Sequence, residues 1–318
     1  MYWLGIDLGG TNIATGVVDA NYKILGRGKV KTNSSAGPEA IADNIATAVE
    51  EAIKNAGIEK SQIVAVGIGS PGSVVPETGV VATSNNLGFS NLPLCQMIKD
   101  RTGFDCYIEN DANAAAYGEL LAGAGKGKKS FIAITLGTGV GSGIIIDGKI
   151  FSGFNHAGGE LGHTVILKNG EFCSCGRCGC WEAYASATAL IRQTKHAMLM
   201  AQKSIMWELV DGNIDKVSGR TAFDAMRKGD AVAKMVVDKY IEYVATGIVN
   251  TINIFQPEIV CVGGGISKEG DYLIEPIKEY IRLERYSKNV DLQSKIRVAE
   301  LGNDAGIIGA AFLCNLYK

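Results

Sequence analysis

The chain opens on an apolar run, Tyr2-Trp3-Leu4-Gly5-Ile6-Asp7-Leu8, with one acid near its end. Short apolar runs bounded by turn residues predict buried strands. This run stops at Gly9-Gly10-Thr11-Asn12 and resumes from Ile13 to Val18, a strand, a glycine turn and a second strand. The period then changes. Between residues 38 and 56, Ile41, Ile45, Ala48, Ala52 and Ala56 fall near helical spacing, with Pro38 suited to the first turn and Gly57 to the stop. Ile63 to Ile68 is a further buried strand, ending at Gly69-Ser70-Pro71-Gly72. Cys106-Tyr107-Ile108 is another, running through Glu109-Asn110-Asp111 into a helix that extends to about Leu121. Strands alternating with helices predict an α/β layered fold.

The pattern then restarts with different letters. Ser130 to Leu136 predicts a strand, Gly137 to Gly143 a glycine turn, and Ile144-Ile145-Ile146 a returning strand. Residues 230 to 255 predict a long helix, Ile259 to Val262 a strand into Gly263-Gly264-Gly265, and Asp304 to Leu316 a last helix. No strict short repeat occurs, but two glycine hairpins, each opening a half, suggest a duplicated two-lobed design. The 318 residues exceed what one core usually absorbs, and no stretch has the composition of a flexible linker.

Composition narrows the partners. Apolar residues make up 47% and charged residues 20%, and 31 basic against 33 acidic side chains leave a net charge of -2. That balance excludes disorder and a broad basic footprint for nucleic acid. Glycine numbers 41 against only 6 prolines, which assigns the glycines to tight turns and close backbone approach to a ligand rather than to linkers. Residues 1–4 lead directly into the first strand with no export signal, and the most apolar long window, 131–147, is interrupted by glycines. A cytoplasmic, reduced protein with no membrane partner is expected, and there eight cysteines argue for metal or buried thiols over disulfides.

The candidate chemistry sits at strand ends. In Asp7-Leu8-Gly9-Gly10-Thr11-Asn12, glycines let backbone N–H groups converge on phosphate oxygens, and the acid can hold a hydrated Mg²⁺. Gly137-Thr138-Gly139 and Gly263-Gly264-Gly265 are further turns of this kind, and three in one chain favour nucleotide binding over plain turns. No P-loop lysine motif or protein-kinase set is present. Asp111 follows a strand and opens a helix, a usual address for an active acid in α/β folds, although such an acid also serves as a helix cap. Asn110 beside it offers an amide. Cys173-Ser174-Cys175-Gly176-Arg177-Cys178-Gly179-Cys180 puts four thiols in eight residues, with His163 ten residues upstream. This suggests a closed, structural Zn²⁺ site with five candidate ligands for four positions; if the outer three cysteines and His163 fill it, Cys178 is spare. Glu160 and Glu182 flank the cluster, and with His163 they could grip sugar hydroxyls, although such acids are more often solvated surface groups. His156 and His196 are expected to be structural, and the Lys126 to Lys129 run a solvated loop.

Together these residues resemble the ROK family of sugar kinases and related repressors, which have the actin-like ATPase fold. Gly158-Gly159-Glu160-Leu161-Gly162-His163 is similar to its GGExGH segment, Cys173 to Glu182 to its CxCGxxGCxE zinc motif, and Gly179 to Ser186 looks like bacterial glucokinases. The resemblance covers essentially the whole chain. It implies a two-lobed α/β architecture of duplicated ribonuclease H-like halves around a central interdomain cleft, with residues 1–115 plus 303–318 in one lobe and 116–302 in the other. It implies an ATP-dependent hexose kinase acting on the 6-hydroxyl, of glucose first and N-acetylmannosamine or fructose as alternatives, with a non-catalytic sugar sensor the other reading. Asp111 would be the catalytic base. Asp7, Gly9, Gly10, Thr11 and Asn12 would form the first phosphate loop, Gly137, Thr138 and Gly139 the second, and Gly263, Gly264 and Gly265 the adenosine side. Asn110, Asp111, Glu160, His163 and Glu182 would bind the sugar, and His163, Cys173, Cys175 and Cys180 the zinc. ATP with Mg²⁺, a structural Zn²⁺ and a homodimer are implied. The repressors carry an extra N-terminal helix-turn-helix, for which there is no room before Asp7.

Overall fold

The computed structural model describes residues 1–317. Two five-stranded sheets share one strand order. The first runs β3-β2-β1-β4-β8, built from β1 (Tyr2–Leu8), β2 (Asn12–Val18), β3 (Ile24–Lys31), β4 (Ile63–Ser70) and β8 (Cys106–Asn110). Its hairpins are antiparallel, whereas β1, β4 and β8 are parallel. The second runs β11-β10-β9-β12-β13, from β9 (Phe131–Leu136), β10 (Val140–Ile146), β11 (Lys149–Ile150), β12 (Ile259–Gly263) and β13 (Lys295–Val298). A small antiparallel meander, β5 (Ser73–Val75), β6 (Val80–Ser84) and β7 (Phe89–Leu92), lies in the β4–β8 connection.

Eleven helices complete the described chain: α1 (Pro38–Ala56), α2 (Leu94–Thr102), α3 (Asp111–Ala122), α4 (Glu182–Ala185), α5 (Ala187–Met200), α6 (Met206–Leu209), α7 (Thr221–Arg227), α8 (Ala231–Phe255), α9 (Asp271–Glu284), α10 (Asp304–Ala311) and α11 (Cys314–Tyr317). Their limits follow local chemistry. Helix α1 starts on Pro38 and ends where Gly57 turns left-handed and returns its N–H to the Lys54 carbonyl. Helix α8 starts where Asp230 accepts from the N–H groups of Val232 and Ala233. Among the described helices none is long and apolar enough to cross a membrane. The predicted last helix is broken, with Phe312 and Leu313 separating α10 from α11. The predicted seven-residue glycine turn shrinks to Gly137-Thr138-Gly139, because Val140 to Gly143 already belong to β10.

Two compact units emerge. One comprises Met1–Phe131, Gly143–Gly159 and the chain from Glu300 onward; the other comprises Ile132–Ser142 and Glu160–Ala299. The division differs from the boundary expected at 115/116. Helix α3 stays whole with the first unit because it crosses α10 backbone to backbone: a Cβ on Gly309 would sit 1.7 Å from the Ala114 carbonyl oxygen. Helix α10 also lies directly on β1 and β4, where a Cβ on Gly5 or Gly67 would come within 1.8 Å of its carbonyls. Gly5, Gly67 and Gly309 therefore serve close packing between elements, a use the composition did not suggest, while many others, such as Gly57 and Gly103, hold the positive φ of turns as expected. In the second unit, Trp181 is fully buried against Gly247 of α8 and donates from Nε1 to the Tyr243 carbonyl at 2.9 Å. That contact anchors the segment just after the cysteines.

Candidate active site

In the first unit, parallel register creates the candidate site. Asp7 of β1 pairs with Gly69 of β4, and Gly69 pairs with Glu109 of β8, so the carboxyl ends of three strands share one level. Asn110 and Asp111 follow at once. Gly69 lies close under the start of α3: a Cβ there would meet the Ala114 Cβ at 3.2 Å and the Asp111 Cα at 3.5 Å. Asp7 and Asp111, far apart in sequence, thereby become electrostatic neighbours. Burial, and then the Asp111 charge, raise Asp7 to about 6. Burial likewise raises Asp111, partly opposed by the Ala112 N–H that its Oδ1 accepts at 2.8 Å.

The cap of α3 is Asn110, not Asp111. Its Oδ1 accepts from the Ala112 and Asn113 N–H groups at 2.9 and 3.3 Å, and its Nδ2 donates to the Gly72 carbonyl at 3.1 Å. Asp111 shares only the Ala112 N–H with that cap. Beside Asp7, the turn Gly9-Gly10-Thr11 is tied back by Thr32, whose hydroxyl donates to the Gly9 carbonyl at 2.6 Å and whose N–H donates to the Thr11 carbonyl. Gly10 has open space where a side chain would go. Asp7, Gly9, Gly10, Thr11 and Asn12 line a cavity of ≈ 520 Å³ together with Lys29 and with Asp304 and Ile307 of α10.

The second unit carries the remaining residues. Glu182 turns its carboxylate towards the glycine turn: Oε2 accepts the Val140 N–H at 3.0 Å, and a Cβ on Gly139 would lie only 2.2 Å from that oxygen. The start of α5 holds the turn's carbonyls, Ala187 N–H on Gly137 and Thr188 Oγ1 on Thr138, both at 2.8 Å. Gly264 needs its glycine doubly, with φ +85° and the Leu136 carbonyl 2.5 Å from a Cβ position. Gly263 ends β12, and Gly265 follows with open space around it.

Glu160 is exposed and precedes a short 3₁₀ turn, Leu161–His163, which is anchored to β10 by the Leu161 N–H on Ser142 Oγ. His163, Cys173, Cys175 and Cys180 converge, with one donor atom of each within 4.8 Å of the others. Cys175 and Cys180 lie 3.6 Å apart at sulfur, and His163 Nδ1 lies 3.6 Å from Cys173 Sγ. A tetrahedron with ~2.3 Å metal–sulfur bonds has edges of about 3.8 Å, so the donors fit zinc. Cys178 is outside the cluster and exposed. Cys173 Sγ also lies 3.6 Å from Glu182 Oε1, which joins the cluster to the glycine turn through one carboxylate.

Buried acids escaped the sequence reading, among them Glu119. Glu119 of α3 accepts the N–H groups of Ala124, Glu300 and Leu301, pinning the return of the chain into α10. Its place two helical turns beyond Asp111, inside an otherwise apolar helix, was the available signal. His156 is structural in its contacts, with Glu77 and Ser152 on its two ring nitrogens.

Known proteins are similar to this chain. Residues 3–316 match the ROK family. The glucokinase of Streptomyces coelicolor is 41% identical over 315 residues, covering 98% of this chain and 96% of the relative. That of Halalkalibacterium halodurans is 36% identical over 313 residues, covering 98% and 94%. The crystal structure of a ROK family glucokinase from Streptomyces griseus, in complex with glucose and AMPPNP, superposes with a TM-score of 0.80 at 37% identity, covering 98% of this chain and 99% of that one. The two like-ordered sheets are those of the two-lobed actin-like ATPase fold, and the chain belongs to the ROK family.

Proposed function

We propose that this chain is an ATP-dependent hexose kinase that phosphorylates the 6-hydroxyl of glucose, with Asp111 as general base. The observation that carries the reading is the Asp7–Asp111 pair at the ends of parallel strands. Asp111 opens α3 just inside the Asn110 cap, and its burial raises its proton affinity, as a base needs. It would take the 6-hydroxyl proton as the oxygen attacks the terminal phosphoryl group in line. The glucose and AMPPNP bound by the Streptomyces griseus relative support both substrates.

The other residues hold and orient. The Gly9–Asn12 and Gly137–Gly139 turns would cradle the phosphates, with Gly263–Gly265 on the adenosine side. Asp7 would hold the water shell of Mg²⁺, which supplies charge neutralisation on the transferring oxygens. Asn110, Glu160, His163 and Glu182 would bind sugar hydroxyls, and His163, Cys173, Cys175 and Cys180 would hold a structural zinc ion. His163 can serve both if one ring nitrogen faces the metal and the other the sugar. Excluding water keeps the phosphoryl group for the sugar.

The test is a coupled assay over a panel of hexoses with ATP, ADP and polyphosphate as donors, and Asp111→Asn as control. Activity foremost on glucose with ATP, lost in the variant, supports the reading. Preference for an N-acetyl or keto sugar replaces the substrate and keeps the mechanism. A folded protein that binds sugar without turnover is a sensor.

A further inference from the structure

Glu109 is a buried carboxylate, 1% exposed, that the proposed mechanism leaves unused. Its Oε1 accepts both the Asn110 N–H, at 2.8 Å, and the Asn113 Nδ2, at 3.0 Å. Those donors sit on either side of Asp111, so one oxygen ties the two ends of the first turn of α3 together. Its Oε2 accepts the phenol of Tyr317 on α11. Burial, then the Glu109 charge and the hydrogen bond to it, push the Tyr317 phenol well above its usual range, so it stays a protonated donor.

The preceding helix touches the other acid: a Cβ on Gly306 of α10 would lie 3.3 Å from the Asp7 Cγ. The α10–α11 segment thus borders both members of the acid pair, through a close backbone at Asp7 and through Tyr317 and Glu109 at Asp111.

We infer that Glu109 and Tyr317 are a positioning pair, in which the phenol fixes the rotation of the Glu109 carboxylate and the carboxylate holds the Asn110–Asp111 corner aligned for proton abstraction. The inference rests on Asp111 being the base. Without the phenol, Oε2 has lost its donor, the carboxylate is free to rotate, and the ties on either side of Asp111 loosen together. A misplacement of about 1 Å in such a group can cost of the order of 10² in rate.

The deciding variant is Tyr317→Phe, which removes one oxygen and keeps the packing. The expected result is a kcat for the hexose lowered about tenfold, with KM for hexose and ATP changed by less than about threefold. The ratio of ATP hydrolysed to hexose phosphorylated should rise several-fold, because water competes when the sugar hydroxyl is poorly aligned. That ratio is independent of the fraction of active molecules, so mere destabilisation leaves it unchanged. Glu109→Ala should show the larger effect in the same direction. Glu109→Gln should restore most of the turnover, since its amide oxygen still accepts from Asn110 and Asn113 and its nitrogen can donate to the phenol oxygen. A Tyr317→Phe protein with the parent ratio, whether its kcat is normal or reduced, overturns the inference and leaves the kinase reading intact. A parent protein that phosphorylates no hexose overturns both. If Glu109→Ala fails to fold, Tyr317→Phe still decides.

Discussion

The two sheets have the same strand order, yet their first hairpins are braced in opposite ways. The β1–β2 turn is held from behind by Thr32 and leaves Gly10 facing open space. The β9–β10 turn is gripped from the side, by the Glu182 carboxylate on Val140 and by the start of α5 on Gly137 and Thr138. The strand that ends each sheet also leads elsewhere. β8 runs into Asn110 and Asp111 and so delivers an acid, whereas β13 is followed by Glu300 and Leu301, whose N–H groups bind Glu119. A duplicated frame thus fixes where turns can be, and a few side chains decide which copy carries charge and which carries bracing.

The sharpest break in this comparison is Asp111→Asn. It should keep sugar binding and lower kcat by about 10² to 10⁴, the usual span for a general base; near-normal turnover in a steady-state assay would remove the role. Next comes the metal cluster. Cys175→Ser should leave purified protein with little bound zinc and a lower melting temperature, read by elemental analysis and thermal melts. Full metal content in that variant refutes the ligand set.

The third test separates the turns. Gly139→Ala must displace the Glu182 carboxylate, and overpacking of this kind costs about 1–3 kcal/mol of stability, with ATP affinity falling too. Gly10→Ala meets no atom, so it should weaken ATP binding with the melting temperature unchanged. Calorimetric titration with a non-hydrolysable ATP analogue, together with thermal melts, reads both, and equal effects in the two variants would erase the distinction.

The last test concerns the pH dependence of Asp7. Its folded-state pKa of about 6 lies above the ordinary value of 3.8 for a free aspartate, so the fold favours the protonated form. Stability tied to this group is present below pH 3.8 and is lost as pH rises through about 6, reaching about 3 kcal/mol in full. Asp7→Asn should therefore raise the melting temperature at pH 7.5 in metal-free buffer, gain about half as much at pH 5, and lose turnover. An Asn variant melting below the parent at pH 7.5 contradicts the burial argument.

Local patterning determined much of this protein by itself. Apolar runs gave β1, β4 and β12 within a residue or two, helical spacing gave α1 and α8, and the bunched thiols marked a metal-sized cluster whose members the structure narrows to His163, Cys173, Cys175 and Cys180. These features depend on residues close in sequence, where period and spacing carry the information. Tertiary structure decided the rest, because it depends on what a distant segment presents. Asp7 and Asp111 became neighbours only through the parallel register of β1, β4 and β8. The cap at α3 went to Asn110 once its side chain could also reach Gly72. Glu182 follows the cysteine motif, yet its carboxylate is bound to a turn more than 40 residues earlier. The glycines of β1, β4, α3 and α10 look like turn residues until the helix they make room for is in place. Sequence spacing cannot report such contacts, since each is set by the backbone of another element.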